Sequence, residues 1–503
     1  MAESLEARTQ PLTEPGRQLR RELSIWEAVG VSLALMAPSM AANINPQGSA
    51  LTVGRAVPLT FVLATAGVLL VAYTFVRLCQ QFNHAGSVYG FVGATLGARS
   101  GVVAGWSLMG TYGFYGCVTS MAAGIFGAAF LDAIDVWNNQ PFWAGFLVGG
   151  VALLGVCYLG IRPVKHGTRF LLYVEVTTVA LILLVCLVVL FRVVAGNAPT
   201  HTSFTLNMFT VPKGVSPSVL FLGVVFGFLS FAGFEAAATL GEEAHNPRRD
   251  IPRAILGVAI FGGVYFVFVT AVEMLGFGTD AKGVAAFGAS SSLLGELGSK
   301  FMGGWVGDIV TLGTAISAFG CALACLVGCA RLLFALSRDG VGPSALAGVS
   351  EAHGTPAPAT LVATIAMYVV IAVLATVFGA KPFDVFLWSG VIGTLILLFA
   401  YIMATLGAMK LLFFSGRARV AMWQIVIPIG ALLVLGYTIY RNVWPYPAMH
   451  DTDGSINAFF FLPIVCGVWI LLSVLLILAR PEIARRAGER LTSEEGLSAA
   501  EAA

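Results

Sequence analysis

Charge is what this sequence lacks. Only 11% of its 503 residues are Asp, Glu, Lys or Arg, while 58% are hydrophobic; soluble domains carry roughly 25% charged residues. Together with a mean hydropathy of +0.87, this excludes a string of soluble domains and points to a polytopic membrane protein in a lipid bilayer. The formal net charge of +2 offers no basic surface for nucleic acid. Histidine is scarce as well, with six residues at 84, 166, 201, 245, 353 and 450, all in or near loops and far apart in sequence. Without convergent nucleophiles or ligands, no enzyme active site, cofactor or metal centre is expected. The candidate outer loops hold no cysteine: Cys79, Cys117, Cys157, Cys186, Cys321, Cys325, Cys329 and Cys466 all fall in apolar runs, which argues against a disulfide framework. Cys321, Cys325 and Cys329 stripe one helix face, which reads as packing rather than a soft-metal site. Residues 1 to 22 have no apolar core ahead of a small-residue cleavage site, so the first helix is expected to be retained.

Apolar length is what the sequence has. Runs long enough for a hydrocarbon layer of about 30 Å, which takes roughly 20 helical residues, occur at about 25–48, 57–80, 100–131, 141–160, 170–194, 217–240, 254–277, 304–336, 358–379, 384–409, 420–440 and 457–479. Counted this way there are twelve. If the N-terminus is inside, 21 of the 28 Lys and Arg fall on the inner side, so the positive-inside rule places both termini in the cytoplasm.

Two of these runs are interrupted near the middle. The first contains Met36-Ala37-Pro38-Ser39-Met40; Pro38 has no amide hydrogen and pushes Ala37 out of the α region, so a kink or unwound turn is expected. Asn43, Asn45 and Gln47 beyond it suit a wet vestibule, although Asn45-Pro46 could also end the helix. The sixth run contains Leu229-Ser230-Phe231-Ala232-Gly233-Phe234-Glu235. A carboxylate at the centre of a span costs about 2.5 to 3.5 kcal/mol on insertion scales, so Glu235 should face a partner or a cavity. Paired interruptions in corresponding helices point to an inverted-repeat transporter with a site at the midplane.

Helix dipoles then suggest a ligand. Amides after Pro38, with Ser39, favour an anion, while the carbonyls left unpaired where the outer half of the sixth helix ends, near Leu229, favour an ammonium. A carboxylate and an amine side by side describe an amino acid. An amine alone would leave the Ser39 half-helix unmatched. Glu175, on the fifth run, is either an interfacial acid paired with an arginine such as Arg169 or a buried titratable group. Trp106, Tyr112, Phe114 and Tyr115 on the third run are packing or interfacial anchors or, any one of them, a substrate contact, with Tyr112 and Asn43 placed in a vestibule. Thr311, Thr314 and Ser317 bond their own helix carbonyls or line a cation site.

The string GFEAAATLGEEAHNPRRDIPRAI, residues 233–255, closely resembles the sixth helix and following loop of the amino acid–polyamine–organocation superfamily of permeases. Members carry a Gly-aromatic-acidic triplet, a Glu-Glu pair, Asn-Pro and Ile-Pro-Arg-Ala-Ile. Residues 83–97, NHAGSVYGFVGATLG, are similar to the superfamily's inner loop between helices two and three. Residues 331–362 resemble it again, with Ser337-Arg338-Asp339-Gly340 closing span eight and Gly354-Thr355-Pro356 opening span nine. Met36-Ala37-Pro38-Ser39 departs from the family's small glycine-rich triplet.

The resemblance implies an all-α polytopic protein of 12 transmembrane helices with a LeuT-like 5+5 inverted repeat and interrupted helices 1 and 6. A cytoplasmic tail (1–22) would precede the first repeat (23–195). An extracellular loop (196–216), the second repeat (217–413), two further helices (414–480) and a cytoplasmic tail (481–503) would follow. It also implies a secondary transporter that moves amino acids across the cell membrane by alternating access, driven by protons or by exchange; an amine or polyamine permease and a non-transporting amino acid sensor stay open. Ala37, Pro38, Ser39, Met40, Leu229, Ser230, Phe231, Ala232 and Gly233 are the expected substrate contacts. Glu235 is implied as a gating or proton-responsive acid, with a structural carboxylate in span six as the other reading. Glu175 falls where several proton-coupled members carry a lysine.

Overall fold

A hydrocarbon layer offers no partner to a backbone N–H or C=O, so a chain this apolar must satisfy both within its helices. The structure is a computed structural model that describes residues 24–82, 87–162, 165–240, 244–338, 340–350, 353–416, 418–446, 448–450, 457–482 and 485. The regular elements among them are helical. The start of the expected inner loop, 83–86, and the loop acids Glu242 and Glu243 lie outside the described residues.

In chain order the helices are α1 (Ile25–Met36), α2 (Pro38–Val53), α3 (Val57–Gln81), α4 (Ser87–Leu96), α5 (Ala98–Ala133), α6 (Ala144–Ile161), α7 (Lys165–Val194) and α8 (Leu220–Phe231). They continue with α9 (Pro247–Phe277), α10 (Ala281–Ala289), α11 (Leu293–Phe301), α12 (Gly304–Arg338), α13 (Ala357–Val377), α14 (Pro382–Met409), α15 (Val426–Val443) and α16 (Ala458–Ala479). Eleven stretches of the described residues are long and apolar enough to cross a membrane. The first, Ile25–Gln81, has 57 residues; straight, at about 1.5 Å per residue it would reach roughly 85 Å. It is instead broken at Ala37 and turned at Gly54, both at positive φ. The chain is a multi-pass, all-helical membrane protein.

Side chains sort as a bundle in lipid requires. Trp26, Val264, Leu433 and Leu478 turn outward and are each at least two-thirds exposed, while Ser39, Asn43, Asn45 and Ser230 are buried. Helices approach closely where they carry small residues, as membrane helices do in place of a hydrophobic driving force. A Cβ at Gly124 would lie 2.1 Å from the Gly145 carbonyl oxygen, so α5 and α6 touch backbone to backbone. Trp106 of α5 donates to the Trp469 carbonyl of α16 at 3.0 Å, and Trp469 donates back to the Trp106 carbonyl at 3.2 Å. Trp106 is thus an anchor within the protein.

Two helix limits differ from the sequence reading. Asn45-Pro46 does not end the first run: α2 continues through Pro46 to Val53, because one proline removes a single i→i−4 donor and the packed bundle tolerates the loss. The seventh run starts at Pro247, earlier than its apolar pattern suggests, since its first turns are charged and proline is at home at the first helical position.

Candidate functional site

The first break is local in origin. Pro38 opens α2 at its first position, and the preceding Ala37 takes left-handed angles, φ 44 and ψ 60. An alanine there costs about 1 to 2 kcal/mol, which the surrounding packing must hold. Ala37, Pro38, Ser39 and Met40 are all buried. The amides freed by the break do face an anion, and the chain itself supplies it: Glu175 of α7 accepts from the Ser39 amide at 2.9 Å and from the Ser39 hydroxyl at 2.8 Å, both on Oε1. Glu175 is 5% exposed, so it is an interior group and not an interfacial one.

The second break follows α8. Residues 232–235 form a turn, and Ala236–Leu240 continue as a short 3-10 helix in place of an α-helical inner half. The outer half ends at Phe231, two residues beyond the expected Leu229. Gly233 makes this turn feasible. Its φ is 102, and a Cβ would lie 2.8 Å from Leu35 of α1.

The two breaks face each other. Ser32 of α1 donates to the Phe234 carbonyl at 3.1 Å and accepts from the Ala237 amide at 3.0 Å. Asn45 of α2 donates to Ser230 at 2.8 Å, and Ser230 in turn donates to the Phe226 carbonyl. Cys321 of α12 donates to the Leu35 carbonyl at 3.0 Å, covering an acceptor near the end of α1. Leu229, Phe231 and Ala232 are buried; Leu229 rests against Gly390 of α14, and Phe231 against Gly262 of α9 next to Met36.

Glu235 is a buried acid near three tyrosines. It is 4% exposed and, among the described residues, its Oε2 has no hydrogen-bond partner. Tyr112 and Tyr115 of α5 and Tyr401 of α14 lie within its electrostatic reach. Tyr401 also packs edge-on to Phe234 and Phe75. Sequence reasoning did not single out Tyr401, because a tyrosine in the middle of an apolar run leaves no periodic signal. Tyr112 is half-buried and rests against Gly328.

Asn43 differs from the wet vestibule foreseen for it. It is 1% exposed; its amide donates to Thr314 at 2.9 Å, and its carbonyl oxygen accepts from the Leu294 amide at 2.8 Å and from Ser292 at 3.3 Å. Gln47 likewise donates to the carbonyls of Phe287 and Ser290. Both residues pin α2 to α10, α11 and α12. Thr314 bonds its own Val310 carbonyl as well, Thr311 bonds Ser292, and the Ser317 side chain lies beside Glu175.

A family model described as "Amino acid permease" matches residues 32–484. The low-affinity putrescine importer of Escherichia coli (strain K12) is 28% identical over 343 residues, 68% of this chain and 72% of that protein. The branched-chain amino acid permease of Bacillus subtilis (strain 168) is 26% identical over 359 residues, 69% of this chain and 74% of that one. The methylthioribose transporter of the same organism is 27% identical over 351 residues, covering 68% and 72%.

Proposed function

The chain belongs to the amino acid permease family, within the amino acid–polyamine–organocation superfamily, and on that premise we propose that it is a secondary transporter which carries an amino acid across the cell membrane by alternating access. One observation carries this reading: the two helix breaks, at Ala37 and at Ala232 to Glu235, lie against each other through Ser32 and Leu35. Interrupted helices that meet inside a bundle put free amides and free carbonyls in one place. Counting Ile25–Gln81 as two passages, with the turn at Gly54 between them, gives twelve spans and two five-helix repeats at 23–195 and 217–413. Both termini then fall on the cytoplasmic side.

In this reading the ammonium group is held by the carbonyls at the end of α8, with Ala232 and Gly233 giving close access and Glu235 as the nearby acid. The carboxylate is held by the Ser39 amide and hydroxyl. Glu175 already occupies both, so substrate has to displace it. A proton on Glu175 neutralises the competitor and frees the donors, which couples binding to proton entry.

The same contact favours a second reading. An amine without a carboxylate needs no displacement, because Glu175 fills the anionic position, and Glu175 and Glu235 together suit a cation. Uptake of labelled leucine and labelled putrescine into proteoliposomes, with and without an imposed pH gradient, separates the two. Accumulation of leucine driven by the gradient supports the amino acid; accumulation of putrescine alone supports the amine. Uptake of neither, across a panel of amino acids and amines, would leave the sensor reading in place of transport.

A further inference from the structure

Glu273 is a buried acid that the site described above does not use. It lies in the last turn but one of α9, is 0% exposed, and among the described residues neither carboxyl oxygen has a hydrogen-bond partner. Eight residues earlier, Tyr265 is 2% exposed and its hydroxyl is also without a hydrogen-bond partner among the described residues. Tyr265 is within electrostatic reach of Glu273, of Cys186 on the facing helix α7, and of Glu175 further along it. Cys186 is itself within reach of Glu273. Four proton-bearing side chains therefore alternate along one seam, Glu175 and Cys186 from α7 and Tyr265 and Glu273 from α9. The seam ends at Ser39.

At its other end, Gly276 packs against Leu297 of α11 and Val189 of α7. Immediately beyond lies a polar pocket of about 440 Å³ that includes Phe277, Gly278, Asp280, His201 and Lys282. Among the described residues no fixed charge pairs with Glu273 from the elements around it; Arg192, on α7 itself, donates to the Phe301 carbonyl at 2.6 Å. α2 carries no titratable residue, Lys282 of α10 is exposed, and Glu296 and Lys300 of α11 pair with each other. Glu27 of α1 is exposed and Arg77 of α3 is bonded to Gln80 and Gln424. With its proton the group is neutral and can be buried; without it, the seam holds an unpaired charge near a helix C-terminus, which opposes it further. A structural carboxyl would use its oxygens in hydrogen bonds. This one uses neither.

We propose that the α7–α9 seam carries protons between this polar pocket and Glu175, with Glu273 as the group that loads first and Tyr265 as the relay. The transfer is a proton exchange without other bond changes. Water entering the seam bridges the gaps: the Glu273 O–H proton passes through it to the Tyr265 oxygen as the phenolic proton passes on to Glu175, and Glu273 regains a proton from the pocket. Glu175, once neutral, loosens its hold on Ser39. This gives the proton-coupling role proposed for Glu175 a supply route, and it rests on that reading.

The test uses full-length protein in liposomes and infrared difference spectroscopy, which reads carboxyl protonation whether or not solute moves. A carboxylic C=O band should be lost in Glu273→Gln, and a second, assigned by its loss in Glu175→Gln, should grow after the medium is acidified. Its growth should slow about a hundredfold in Glu273→Gln and in Tyr265→Phe, the lower end of what a placed proton donor contributes. Glu273→Asp, which keeps the acid, should retain most of the native rate. Growth of the Glu175 band at the native rate in both Glu273→Gln and Tyr265→Phe overturns the seam, as does absence of any protonated carboxyl assigned to Glu273. Leucine and putrescine uptake in the same vesicles reads the transport function separately: no uptake with the infrared result intact defeats transport and leaves the proton path standing.

Discussion

Ser39 holds the Glu175 carboxylate with two donors at once, its amide at 2.9 Å and its hydroxyl at 2.8 Å, both directed at one oxygen. The residue that starts the second half of the first broken helix is thereby tied to a helix 136 positions further along the chain.

Glu175→Gln should uncouple accumulation from an imposed pH gradient while solute exchange continues. A glutamine oxygen still accepts from Ser39, but no proton is gained or lost. Transport assays in proteoliposomes with and without the gradient check this, and an unchanged pH dependence in the variant moves coupling to Glu235 or removes it.

If an amino acid carboxylate replaces Glu175 on Ser39, the methyl ester and the decarboxylated amine should compete poorly. A hydrogen bond to a charged group contributes roughly 1.5 to 3 kcal/mol, so the loss should be on the order of tenfold to a hundredfold. Ser39→Ala should lose part of that, since the backbone amide remains. Competition by amines as strong as by their parent amino acids would establish the amine reading instead.

Gly233→Val should abolish transport and leave membrane insertion intact. The residue sits at φ 102 and its added Cβ would meet Leu35 at 2.8 Å, so the turn between α8 and the 3-10 segment would have to open. Full activity in this variant would mean that the turn plays no part in the cycle.

Asn43→Leu should lower thermal stability more than it alters substrate affinity. The buried Leu294 amide loses its acceptor and Thr314 loses a donor, at about 1 to 3 kcal/mol for an unsatisfied buried group. Melting of the purified protein in detergent reads the loss; a large drop in affinity with unchanged melting would return Asn43 to the substrate path.

The breaks were legible in the sequence because their causes are local. Pro38 keeps Ala37 out of the right-handed α region, and a glycine among small residues ahead of Glu235 marks the second turn. The apolar runs were legible for the same reason, since length and composition fix a membrane helix without its neighbours. The contents of the site were not. Nothing in the spacing of Ser39 and Glu175 says that they meet, Tyr401 is hidden in an apolar run, and Glu273 reads as one acid near the end of a helix. Asn43 looked like a water-facing residue because its partners, Ser292, Leu294 and Thr314, come from the other half of the chain.

That distance has a consequence for how the protein is made. The acceptors and donors that satisfy Asn43 and Gln47 lie 240 to 271 residues downstream, so during synthesis α2 is complete long before they emerge. Until α10, α11 and α12 are inserted, the most polar helix of the bundle waits with its amides unsatisfied. It must stay near the water interface or in the shelter of the insertion machinery, and its final seating is a late step of biogenesis.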